Sequence, residues 1–197
     1  MMEEHELIVQ VLASLQMLAE TLNEGGPVSR PEVADFGRFF AEFADRCHHG
    51  KEEDRLFRAM VASGFPPESG PIGVMLSEHE AGRQEVRVLR AIGGGSGPLS
   101  SEETAAIIDC AAQFVPLLYG HIQKENNILY PMAQRALPPA ELARLDQSCA
   151  DFDRQVLGPE ELSRLKDLAA SLVRRFPADP AELAAHASCG GCSSVSH

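Results

Sequence analysis

Apolar residues recur at helical spacing along most of the chain. Between residues 3 and 23, Ile8, Leu12, Leu15, Ala19 and Leu22 fall on one helical face, and the pattern ends at Gly25-Gly26-Pro27. Ser29 is placed to cap a second helix with Pro31 in its first turn. That helix is predicted to run to about Ser63 and to stop at Gly64, ahead of Pro66 and Pro67. Ile72, Met75, Leu76, Val86 and Leu89 set a third helix over 71–92, followed by a glycine-rich loop from Gly93 to Pro98. Ser100 and Glu103 carry a capping-box signature for a fourth helix over 101–136, in which Pro116 is expected to introduce a kink. Beyond Pro138-Pro139 two shorter helices are predicted over 140–156 and 160–175, separated by Gly158-Pro159. From Pro177 the sequence is small and polar, ends in HASCGGCSSVSH, and reads as a disordered tail. No strand pattern of any length is present. The expected fold is therefore all-α: an up-down-up-down four-helix bundle over 1–136, two additional C-terminal helices over 137–176, and a flexible Cys/His-containing tail over 177–197.

Composition narrows the partners. Hydrophobic residues make up 44% of the 197 and aromatics only 6%, with no Trp, which suits packed helices better than a sandwich of sheets. A formal net charge of -12 argues against nucleic acid, whose phosphates need a basic footprint, and against an anionic membrane surface. No uninterrupted apolar run approaches membrane-spanning length, so no spanning helix is expected. The start, MMEEHELIVQ, is acidic and lacks the basic region of a signal peptide, which makes the cytoplasm the expected compartment. Cys47, Cys110 and Cys149 sit singly in helical patterns and read as small buried hydrophobes. Cys189 and Cys192, with His186 and His197 nearby, read as part of the tail, with soft-metal ligation or redox pairing as the alternative.

The chain also carries an internal echo. His48 to Phe57 and His121 to Tyr130 both follow the pattern H-x-x-K-E-x-x-x-L-aromatic, 73 residues apart on two different helices. A histidine and a glutamate at i and i+4 share one face, one turn apart, so imidazole and carboxylate can reach one metal or two adjacent metals. That donor set suits iron and manganese, with zinc possible. The first copy has two frames, because His49 and Glu53 repeat the spacing. Alignment of Leu56-Phe57 with Leu129-Tyr130 favours His48 and Glu52, whose stripe also holds Phe40, Ala44 and Leu56 but is interrupted by Arg55; His49 lies toward the more solvated Asp45, Arg46 and Glu53. His79 continues the stripe of Ile72, Met75 and Leu76, and His5 that of Ile8, Leu12 and Leu15. Each long helix thus points a histidine where a core hydrophobe belongs. An unpartnered buried ring costs a few kcal/mol, so four of them, two with a carboxylate one turn on, indicate a metal centre made by His5, His48, Glu52, His79, His121 and Glu125. Two divalent ions would be partly neutralised by the two glutamates. Tyr119 and Tyr130 read as core packing, with hydrogen bonding near the metals as the alternative, and Glu78 and Glu80 as outer carboxylates or solvated groups.

The motifs EEHELI, CHHGKEEDRLF, MLSEHEAGR and HIQKENNILYPMA together resemble the hemerythrin-like, HHE cation-binding family over about residues 3–136. The resemblance implies a non-haem di-iron centre with oxo or hydroxo and carboxylate bridges, in which Glu52 and Glu125 bridge two irons and the histidines cap them. It implies a small diatomic or peroxide ligand, namely dioxygen, nitric oxide or hydrogen peroxide. An iron-handling role, storing or donating iron, or enzymatic peroxide or nitric oxide detoxification are the alternatives. The oxygen-carrying members place five histidines, one aspartate and one glutamate. Here the third helix offers His79 alone, with Arg83 one turn on, so the count of four histidines and two glutamates is closer to the repair-type and iron-sensing members. One iron is expected to be more open as a result.

Overall fold

The computed structural model describes residues 1–183, all in helices and the turns between them. Helix α1 spans Met2–Asn23. The second bundle helix runs without a break through α2 (Arg30–Phe39), two π-helical segments, π1 (Phe40–His49) and π2 (Glu52–Phe57), and α3 (Arg58–Ala62). The third is α4 (Gly70–Gly93). The fourth joins α5 (Ser101–Lys124), a third π-helical segment, π3 (Glu125–Leu129), and α6 (Tyr130–Ala136). Helices α7 (Pro139–Val156) and α8 (Gly158–Arg175) follow. Cys189 and Cys192, with His186 and His197, lie outside the described residues.

The helix starts follow from local chemistry. Ser29 and Glu32 form a capping box with Pro31 in the first turn, and Ser100 and Glu103 form another. The buried Arg30 ties these two starts together, with Nη1 and Nη2 donating to the two carboxylate oxygens of Glu103 at 2.8 and 2.7 Å. Helix α5 runs unbroken through Pro116. Pro116 and Ala112 both lie on its exposed face, so the carbonyl that loses a partner to proline faces solvent.

In the bundle α2 packs on α4, α4 on α5, and α5 on α1. Gly93 allows the close approach of α4 to α2: a Cβ there would lie 2.5 Å from Cα of Ala34. Helix α8 lies against both α1 and α2, while α7 lies against π1 and π2. The packed chain continues past α8. Phe176 and Leu183 are buried in the main core, so the stretch 177–183, read from sequence as the start of the tail, has an apolar anchor.

Two apolar clusters divide the interior. The larger takes Ile8 to Ala19 of α1, Val33 to Ala44, Val86 to Ile92 and Ile107 to Ile122. The smaller holds Leu56, Phe57, Met60, Ile72, Met75, Leu129 and Tyr130, with Leu145 from α7. Residues 5, 48–52, 79 and 121–125 fall between them along every helix. The helix Ser101–Ala136 has an 18-residue window of mean hydropathy 1.4, long and apolar enough by composition to cross a membrane. No spanning helix is expected from sequence, because polar residues interrupt every apolar run, while a window average tolerates them. In the bundle Phe114, Leu118 and Ile122 of this helix are buried.

Candidate metal centre

The six residues expected from sequence meet in the layer between the two apolar clusters, and His49 joins them. All seven residues are at most 6% exposed. They form two cages whose donor atoms lie within 4.8 Å of one another: His49, Glu52, His79 and His121 in one, His5, His48, Glu52 and Glu125 in the other. Glu52 belongs to both. Glu125 reaches both as well, with Oε1 3.1 Å from Nε2 of His121 and Oε2 3.2 Å from Nε2 of His5.

His49 enters through the backbone. In an α-helix His48 and His49 diverge, and only one can share a stripe with Glu52. The i→i+5 turns of π1 and π2 are wider, and both imidazoles stay inside with Glu52. The same winding takes Arg55 off the stripe it interrupts at α spacing, and its guanidinium lies over the Phe152 ring at 5.1 Å. The two frames of the first motif are therefore not exclusive: His48, His49 and Glu52 face inward and Glu53 faces outward. His49 stacks on His79 with centroids 3.9 Å apart and planes 12° apart. A second imidazole thus stands beside His79 from π1, not from α4. Arg83 is turned away to Asp45 and Glu53, at 2.8 and 2.7 Å.

The outer hydrogen bonds orient the rings. Nδ1–H of His48 donates to Glu4 at 2.7 Å, that of His79 to Glu53 at 2.7 Å, that of His121 to Glu78 at 3.0 Å, and that of His5 to the Asn126 side-chain oxygen at 2.7 Å. Nδ1 of His49 lies 3.5 Å from Asp45. With the proton on Nδ1, each Nε2 is left as an inward-facing donor for a cation. Inside, Nε2 of His5 and His48 approach to 2.8 Å, and Nε2 of His79 and His121 to 3.1 Å.

These contacts come in two matched sets. Glu4 precedes His5 and accepts from His48 and Lys51; Glu78 precedes His79 and accepts from His121 and Lys124. The aromatic ending each motif stacks near the histidine of the other half: Tyr130 on His5 at 5.5 Å and 10°, Phe57 on His79 at 5.9 Å and 16°. The halves differ in two inward groups. His49 corresponds to Ile122, and Tyr130 to Phe57, which has no hydroxyl. The Tyr130 hydroxyl donates to Glu52 at 2.6 Å and lies 3.3 Å from Nε2 of His5. Burial and the neighbouring Glu52 and Glu125 push its pKa well above the ordinary phenol value, so it remains a hydroxyl.

The donor chemistry fits cations. Oε2 of Glu52 and both oxygens of Glu125 are buried with no hydrogen-bond partner. Burial pushes Glu52 up, and so does Glu125, yet His48 and His79 hold it below the ordinary carboxylate range. Two buried carboxylates side by side, flanked by five imidazoles, are costly unless positive charge lies between them. Glu4 and Tyr130, which the sequence alone does not single out as neighbours of the cluster, bond to His48 and Glu52. The signal for Glu4 was the repeated Glu-His dipeptide at Glu4-His5 and Glu78-His79. Tyr119 instead lines a surface groove between α1 and α5, and Glu80 is half-exposed beside Arg87.

Residues 1–133 match the family model described as the hemerythrin HHE cation binding domain. A probable iron-sulfur cluster repair protein of Haemophilus influenzae is 32% identical over 101 residues, covering 50% of this chain and 44% of that protein. The iron-sulfur cluster repair proteins YtfE of Dickeya chrysanthemi and Yersinia pseudotuberculosis are 32% and 35% identical over 94 and 91 residues, 46% and 45% of this chain and 42% and 41% of theirs. The matched region spans less than half the length of these relatives. No solved structure matches the chain.

Proposed function

The chain belongs to the hemerythrin HHE cation-binding family, and on that footing we propose that it holds two non-haem iron ions and binds or reacts with a small diatomic or peroxide ligand. One iron would be held by His49, His79 and His121, the other by His5 and His48, with Glu52 and Glu125 shared. The observation that carries this reading is the pair of buried glutamates, three of whose four oxygens have no hydrogen-bond partner, each reaching toward imidazoles of both halves. When bound, such irons supply reversible electron transfer and open coordination positions for dioxygen, nitric oxide or peroxide. The protein's part is to fix the imidazole tautomers through Glu4, Glu53, Glu78 and Asn126, and to exclude bulk water with apolar clusters on both sides. The half with two imidazoles is the more open, and the Tyr130 hydroxyl stands there as a hydrogen-bond donor.

A second reading is iron delivery, in which the irons are cargo. It is favoured by the relatives named as iron-sulfur cluster repair proteins. Anaerobic loading with Fe(II), followed by dioxygen, nitric oxide and peroxide with optical spectra, separates the two. The ligand reading expects two irons per chain that stay bound and give a new absorption band with at least one of the three. Spectra unchanged by all three, with Fe(II) passing to an apo iron-sulfur protein, would replace it with delivery.

A further inference from the structure

The matched halves of the centre differ on the outside as well as inside. Lys124, which donates to Glu78 behind His121, is 38% exposed. Its counterpart Lys51, which donates to Glu4 behind His48, is 1% exposed, because α7 lies over it. Asp153 of α7 accepts from Nζ of Lys51 at 2.7 Å and from the Cys47 thiol at 3.0 Å. Burial, reinforced by Asp153, pushes Cys47 up to about 12, so the thiol serves as a donor. Contact on either side holds α7 in place: a Cβ at Gly50 would come within 3.0 Å of the Phe152 ring, and Arg55 lies over that ring.

A chain of hydrogen bonds therefore runs from the C-terminal extension to the site: Asp153 to Lys51, Lys51 to Glu4, Glu4 to His48. Behind His121 the matching path stops, among the described residues, at Glu78 and Lys124. A buried ammonium keeps its charge only with partners around it, and Lys51 has two carboxylates, one from α1 and one from α7.

We propose that α7 is a latch on the metal centre, in which Asp153 is a positioning residue that fixes His48 through Lys51 and Glu4. The metal at His5 and His48 is then retained by the C-terminal extension, and the metal at His49, His79 and His121 by the four-helix bundle alone. This rests on the two-iron reading above. Loss of an outer partner of a metal-bound histidine weakens a site by roughly 10–100-fold; Asp153 acts through two intermediaries, which puts its effect at the lower end.

The test uses the full chain loaded anaerobically with Fe(II) and challenged with the chelator ferrozine, following release of each equivalent. In Asp153→Asn one equivalent should leave roughly tenfold faster and the other at the wild-type rate. Asp153→Glu should restore most of the retention. Melting of the metal-free variants gives an independent readout, and Asp153→Asn should melt close to wild type. Unchanged release of both equivalents would overturn the latch, as would equal acceleration of both with a large fall in melting temperature, which is general loosening. A wild-type protein that takes up fewer than two irons would overturn the two-iron reading itself, whatever Asp153 does.

Discussion

At the scale of single residues, His49 changes what the centre can hold. It gives one half three imidazoles where the sequence places two, and its burial against His79 has no role in an apolar core. His49→Ala is expected to weaken one metal equivalent tenfold or more, since even an outer partner of a ligand is worth that much, and to leave the other in place; competition with a chelator of known affinity measures both. Equal retention of both metals would make His49 a packing residue. Protonation adds a second expectation. Burial works against charge on His121, yet Glu125 and Glu78 hold it up to about 9, whereas burial, with His79 beside it, takes His49 down to about 4. In the metal-free protein the contribution of His121 is present below 6.5 and lost as pH rises to about 9. That of His49 is present above 6.5 and lost as pH falls through about 4. At neutral pH His121 must give up its proton to bind metal, so metal uptake should release protons, and affinity should climb toward pH about 9. Calorimetry in buffers of different ionisation enthalpy reads the proton count; no release at pH 7 would contradict the raised His121.

At the scale of elements, the regular helices were legible and the irregular ones were not. The apolar period, Ser29, Ser100 and the prolines mark both ends of α1, α4, α7 and α8, the starts of α2 and α5 and the ends of α3 and α6 to within a residue or two, because caps and breakers act locally. The π segments depend on what the site requires of the backbone, and periodicity at α spacing averages them away. Their trace in the sequence is Arg55, a charge on an otherwise apolar stripe. Glu52 and Glu125 were found because they repeat, whereas His49 has no repeat, its counterpart being Ile122. The stretch 177–183 reads as tail for a related reason: Phe176 and Leu183 are isolated apolar residues in a polar stretch, and only their burial in the larger core reveals the anchor. Phe176→Ala is expected to cost about 3 kcal/mol, the low end for a buried phenylalanine, measured by chemical denaturation. A cost near zero would mean that the segment after α8 is not anchored.

At the scale of the whole molecule, the bundle is two apolar cores with a polar layer between them. The larger core, extended by α8, holds the four helices at fixed spacing, and the smaller closes the other side with Leu145 of α7. The polar layer gains little from hydrophobic burial, and without cations its two glutamates oppose folding. Metal loading should therefore raise the melting temperature by several degrees, increasing with the logarithm of metal concentration over dissociation constant; a melting temperature indifferent to metal would place the clusters among ordinary buried networks. Glu52 and Glu125 are proposed to be shared by two metals. The most direct test counts iron in wild-type protein and in Glu52→Ala after identical anaerobic loading and desalting. Two irons per chain in the wild type and almost none in Glu52→Ala are expected, because one carboxylate serves both cages. One iron per chain in the wild type, or a Glu52→Ala protein that keeps one iron firmly, would contradict it.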